Sequence, residues 1–161
     1  MGEGRDPLQK SPWPSPHHNL KRKGGTMKVR DIMVREVATL DINDELSLAN
    51  DIMRLGRIRH LPVVEGNRLA GIISERDLFR SSLAQALGYG TKDSRELMKT
   101  MRIKDIMVHQ VLTVFPDTNL CDAVKIMVEK KIGCLPVVEN ERLVGLITET
   151  DILVQYLKEC E

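Results

Sequence analysis

Aromatic side chains are nearly missing from this chain, with one Trp, two Tyr and two Phe among 161 residues. A core must therefore be built from Leu, Ile, Val, Met and Ala. A single-strand nucleic-acid platform, which stacks bases on several rings, has no material here. Long apolar runs are missing too: none approaches the ~18 residues of a membrane span, and no secretory segment opens the chain. The expectation is a soluble, cytoplasmic protein with no membrane contact. Cysteine is scarce. Cys121, Cys134 and Cys160 form no C-x-x-C pair, so they read as small apolar packing residues rather than metal ligands.

A strong net charge is also lacking, at +1 overall, and its distribution says more than the total. Residues 1–26 hold five Lys/Arg and two acids, leaving 19 basic against 21 acidic residues over 27–161 (24 less 5, 23 less 2). That acidic balance disfavours nucleic acid as a partner. Residues 1–26 also hold Pro7, Pro12, Pro14 and Pro16, four glycines and no apolar period. This composition cannot offset its ordering entropy, so a disordered tail is expected, or an artefact of the start site, since Met27 also reads as a natural beginning. In the tail, His17-His18 and Lys21-Arg22-Lys23 read as solvated rather than as metal-binding or targeting elements.

What the chain has is repetition. From Val29 onward it repeats at an offset of 74 residues, the interval from Asp31 to Asp105. Arg30-Asp31-Ile32-Met33-Val34 matches Lys104-Asp105-Ile106-Met107-Val108, and Leu61-Pro62-Val63-Val64 matches Leu135-Pro136-Val137-Val138. Gly71-Ile72-Ile73-Ser74-Glu75-Arg76-Asp77 matches Gly145-Leu146-Ile147-Thr148-Glu149-Thr150-Asp151. The expected division is a first repeat over 27–90, a linker over 91–101 and a second repeat over 102–161.

Each repeat reads as strand, helix, strand, strand, helix. Leu46, Ala49 and Met53 fall on one helical face, as do Leu120, Ala123 and Met127, with Asp44 and Thr118 as expected N-caps. Pro62 confines its strand to an edge or a strand start. Glu65-Gly66-Asn67-Arg68 supplies a turn, and Leu69–Ile73 reads as a strand covered on both faces. Ser74 opens a helix running to about Leu87, ended by Gly88 and Gly90. A lone unit of this size is marginal, so both should pack into one globule through their sheets.

Ser-x-x-Asp at a strand-to-helix junction is first of all a capping box. The same atoms could bind a ribose phosphate. A helix N-terminus offers N–H groups to phosphate, the hydroxyl adds a hydrogen bond, and the carboxylate accepts from ribose hydroxyls. Gly71 allows close approach of a ligand or of other backbone.

The doubled Asp-Ile-Met, Leu-Pro-Val-Val and Gly-x-x-Ser/Thr-x-x-Asp set resembles a tandem pair of CBS domains, a Bateman module, over about residues 28–159. The resemblance implies an α/β (α+β) fold of two βαββα units packed with pseudo-two-fold symmetry, and a homodimer. It also implies adenosine-containing ligands in clefts between the units: AMP, ADP or ATP, alternatively S-adenosylmethionine, with no obligatory cofactor. Carried over residue by residue, it puts Asp77 and Asp151 on ribose hydroxyls and Ser74 and Thr148 near phosphate or ribose. Thr39 and Thr113 would lie beside the base, with Val37, Val111, Pro62 and Pro136 as apolar walls. Arg59 and His60, in a basic run with Arg57 and Arg54, read equally as part of a solvated face or as what makes the first cleft the better phosphate site. The second has Lys131-Ile132-Gly133-Cys134 in the corresponding place, and Thr150 where the first has Arg76.

The reading is a regulatory sensor that transmits ligand state to a partner protein of unknown identity. The alternative is an interaction module with empty clefts. An enzyme is disfavoured: His60 and His109 are the only histidines outside the tail, and neither G-x-S-x-G nor a P-loop is present.

Overall fold

The computed structural model of the chain describes residues 21–22, 25–81 and 98–160. The expected tail over residues 1–20, the helix end near Leu87 and most of the expected linker lie outside the described residues. Lys21–Arg22 (β1) and Gly25–Thr26 (β2), inside the expected tail, pair antiparallel. The first repeat supplies β3 (Leu40–Asp41), α1 (Leu46–Gly56), β4 (His60–Glu65), β5 (Arg68–Ser74) and α2 (75–81). The second supplies α3 (Leu120–Lys130), β6 (Cys134–Glu139), β7 (Arg142–Thr148) and α4 (Glu149–Cys160). Its counterpart of β3 is a single parallel bridge from Val114 to Val137. Both repeats thus follow the βαββα order.

The helical stripes are buried as their spacing predicts. Leu46, Ala49 and Met53 on α1 are 0%, 0% and 4% exposed, and Leu120, Ala123 and Met127 on α3 repeat those values. Each large side chain so buried contributes about 1.5–3 kcal/mol. The caps sit one residue later than expected, at Glu45 and Asn119. Asp44 instead accepts from Asp41 N at 2.8 Å, and Thr118 Oγ1 from Phe115 N at 3.0 Å, so each closes the turn before its helix. The first helical N–H groups find backbone from outside their own repeat: Leu46 N donates to Met101 O, at the end of the linker, and Leu120 N to Met27 O of the first repeat. For α1, whose N-cap Glu45 makes no side-chain cap bond, tertiary contact supplies what local sequence was expected to supply, whereas in α3 Asn119 Oδ1 also accepts from Cys121 N at 3.0 Å.

Apart from the two-stranded β1–β2 pair, the strands form one five-stranded sheet in the order β3-β4-β5-β7-β6, joined between repeats by the pair Arg68 and Arg142. The β4–β5 turn uses Gly66 at φ 63°, and the β6–β7 turn uses Asn140 and Glu141 at φ 51° and 63°. Pro62 is the third residue of β4, while pairing with β3 begins only at Val63. The ladder therefore loses nothing to the missing N–H, even though β4 is an interior strand.

The two cores are built from exchanged parts. Met27, Val29 and Met33, from the start of the first repeat, pack with Leu120, Leu135 and Ile147 of the second. Ile103 and Met107 pack in return with Leu46, Leu61 and Ile73. Val34 exchanges backbone hydrogen bonds with Leu146 at 2.8 and 2.9 Å, and Val108 with Ile72 at 2.9 and 3.0 Å. This explains Gly71. A Cβ there would stand 2.6 Å from Met107 Sδ and 2.9 Å from Val108 O, so the glycine admits the other repeat's backbone rather than a ligand. Gly145 stands in the same relation to Met33 and Val34.

Candidate functional site

The exchange brings the end of β5 and the start of α2 against the run that follows Met107. Between them, and against the turn before β6, lies a cleft of about 720 Å3. Ile72, Val108, Val111, Leu112 and Ile132 give it apolar walls, and Ser74 and Asp77 stand at its edge.

Asp77 is fixed by the capping box. Its Oδ2 accepts from Ser74 N at 2.9 Å and Ser74 Oγ at 2.6 Å, while Asp77 N donates to Ser74 Oγ at 3.3 Å. Thr148 and Asp151 repeat this at 2.8, 2.6 and 3.3 Å. Among the described residues no hydrogen bond engages Oδ1 of either aspartate, which leaves one carboxylate oxygen for a ligand hydroxyl. The hydroxyl proton of Ser74 is already donated to Asp77, so Ser74 positions the carboxylate and is not placed to donate to phosphate. Backbone donors are depleted as well. Glu75 N donates to Arg59 O at 2.9 Å and Glu149 N to Gly133 O at 3.0 Å. The helix N-termini therefore offer less to an anion than expected, and charge must come from side chains.

Four cations line the cleft: Arg59, Arg76, Arg80 and Lys131. His60 lines it too, half-buried, with Gly133 against the ring and Glu149 close by: a Cβ at Gly133 would stand 3.1 Å from His60 Cε1 and 3.5 Å from Glu149 Oε2. Burial, then Arg59, holds the His60 pKa below its usual 6.5, with Glu149 and Asp77 partly opposing and Arg76 adding to the depression. Burial, followed by the Glu149 charge, pushes the Cys134 thiol up to about 12, so it packs as an inert apolar group. Cys160, by contrast, is exposed.

Of the residues singled out from sequence, Ser74, Asp77, Arg59, His60 and Val111 meet at this cleft. Pro62 and Pro136 do not: both are buried in the sheet. Thr113 is exposed and lies outside the lining. Val37 and Thr39 follow Val34, which is bonded to β7, so they belong to the side of Thr148 and Asp151. The sequence also assigned Arg59-His60 and Lys131-Ile132-Gly133-Cys134 to separate clefts, whereas both runs line this one. Glu149, Gln110 and Arg80 were missed. Glu149 reads from sequence as an ordinary acid in a first helical turn, and only the packing of one repeat against the other brings it near His60. Among the described residues no cluster of His, Cys, Asp or Glu could hold a metal ion, and no helix is long and apolar enough to cross a membrane.

A sequence model of the CBS domain matches residues 29–84 and 103–158. The inosine-5'-monophosphate dehydrogenase of Korarchaeum cryptofilum is 32% identical over 126 residues, 78% of this chain but 23% of that enzyme. The likeness to that enzyme therefore lies within a quarter of its length. A CBS domain-containing protein of Dictyostelium discoideum is 28% identical over 83% of this chain and 93% of its own. Among solved structures, the CBS domain pair of protein MJ0100, in complex with 5'-methylthioadenosine and S-adenosyl-L-methionine, matches with TM-score 0.67 and 28% identity over 83% of this chain and 98% of that one. CBSX2 in complex with AMP matches with TM-score 0.68 and 25% identity, over the same shares. The chain belongs to the CBS domain family and carries the domain twice, as a tandem pair.

Proposed function

We propose that this CBS pair is a regulatory module that binds an adenosine-containing nucleotide in the Asp77 cleft and passes its ligand state to a partner protein. The observation that carries this reading is the cleft's joint construction: the Asp77 box comes from one repeat, while Val111 and Lys131 come from the other. A ligand spanning them couples the two repeats, so its arrival changes their relative arrangement, and a partner can read that change. Asp77 Oδ1 accepts from ribose, and Ile72, Val108 and Val111 flank the base. Thr148 and Asp151 repeat the box on the other side, with Val37 and Thr39, as a second and less cationic site. The complexes of CBS domain pairs with AMP and with S-adenosyl-L-methionine support an adenosine ligand.

Two copies acting together fit the outer face of α4, where Leu153, Tyr156 and Leu157 are 62%, 56% and 63% exposed. A cytoplasmic homodimer without catalytic activity is the assembly proposed.

Thermal denaturation with AMP, ATP, S-adenosylmethionine and NADH tests the reading. A ligand at a hundred times its dissociation constant adds about 2.7 kcal/mol of stability. A transition that no compound moves would favour an interaction module with empty clefts.

A further inference from the structure

Surface cations such as Arg57, Lys130 and Arg142 make no salt bridge among the described residues; what sets the Asp77 cleft apart is that four cations share one lining. Arg30, Arg68 and Arg102 pair with Asp117, Glu141 and Glu45 at 2.8, 3.2 and 3.7 Å. Arg59, Arg76, Arg80 and Lys131 make no salt bridge among the described residues, although Glu75, Asp77 and Glu149 line the same cleft. Four cations against three carboxylates on one lining give the cleft a positive balance that suits a multiply charged anion. Guanidinium groups, moreover, match phosphate oxygens two at a time.

The repeat offset supplies an internal comparison. At 74 residues from Arg59, Arg76 and Arg80 stand Gly133, Thr150 and Val154, none of them charged. Only Lys131 has a basic counterpart, Arg57. The capping boxes agree to within 0.1 Å, so the two sides share their ribose chemistry and differ in charge.

We propose that the Asp77 cleft selects a nucleoside polyphosphate, a di- or triphosphate, whose phosphate chain lies on Arg59, Arg76, Arg80 and Lys131, and that the Asp151 side does not. This rests on the adenosine reading above and adds to it which residues count phosphates. The cleft volume of about 720 Å3 accommodates such a ligand. With Ser74 and two helix N–H groups already engaged, each added phosphate gains its affinity from these side chains, so affinity rises with phosphate number.

Isothermal titration of the full chain with ATP, ADP, AMP, adenosine and sodium tripolyphosphate tests this, alongside an Arg76→Thr/Arg80→Val variant that copies the second repeat. Both arginines are exposed, so the fold persists, and an Arg76→Lys/Arg80→Lys variant controls for charge. Affinity should fall from ATP to ADP to AMP. The Thr/Val variant should lose about tenfold for ATP with adenosine unchanged, while the Lys variant retains most of the binding. Equal affinity for ATP and AMP, or a Thr/Val variant that binds ATP as well as the native chain, would overturn the proposal and leave the adenosine reading intact. Tripolyphosphate that binds and is lost in the variant, with no adenosine compound bound, would keep the anion site and overturn the adenosine reading. No binding by any probe would overturn both.

Discussion

Asp77 fixes the start of α2 through Oδ2 and leaves Oδ1 without a hydrogen bond among the described residues. Its structural role can be measured apart from any ligand, because Asp151 repeats it. Asp77→Ala and Asp151→Ala should each lower stability by about 1 kcal/mol in chemical denaturation, the usual worth of a helix cap. Markedly unequal losses would mean that the boxes are not equivalent. His60 gives a pH dependence with a definite sign. Its pKa in the fold lies below the unfolded value near 6.5, so the folded state favours the neutral ring. The stability tied to it is complete above pH 6.5 and falls as pH drops from there towards the folded pKa. His60→Asn should flatten that part of the stability profile. An anionic ligand beside His60 favours the imidazolium, so its affinity should strengthen as pH falls below neutrality and lose that dependence in His60→Asn. An unchanged pH profile in the variant would contradict this placing of His60.

At the scale of elements, the periods were legible and the partners were not. Leu46, Ala49 and Met53 announced a buried stripe because helical spacing is local. Glu45 was hidden as a cap because Met101 O, far away in sequence, meets the start of α1, whereas Asn119, next to the expected Thr118, caps α3 locally through Oδ1. Gly71 shows the same limit: its repetition at Gly145 was visible, but its cause is the Met107 thioether and Val108 carbonyl of the other repeat. Gly71→Ala should therefore destabilise by about 1–3 kcal/mol, as overpacking does. Pairing it with Met107→Ala should recover part of the loss if the methionine is the obstacle. An additive double mutant in thermal denaturation would place the strain elsewhere.

For the whole molecule, the exchanged segments mean that neither repeat is complete alone. Val29 and Met33 close the second core, and Ile103 and Met107 close the first. Fragments 27–90 and 98–161 should each lack a cooperative thermal transition, and mixing them should restore one. A fragment that melts cooperatively by itself would contradict the interdependence of the cores. The duplication was plain in the sequence because both copies keep one register. The placing of Lys131 and Glu149 in the Asp77 cleft was not, since it follows from how the two repeats pack against each other. That packing, with the crossing of Val108 to β5, makes the cleft a joint property of the two repeats, and nucleotide recognition by Asp77 is the claim on which the functional account turns. Isothermal titration of ATP and AMP into the native chain and into Asp77→Ala/Asp151→Ala tests it most directly. The account predicts saturable binding to the native chain and at least a tenfold loss in the double variant. Equal affinity in the two proteins would contradict it.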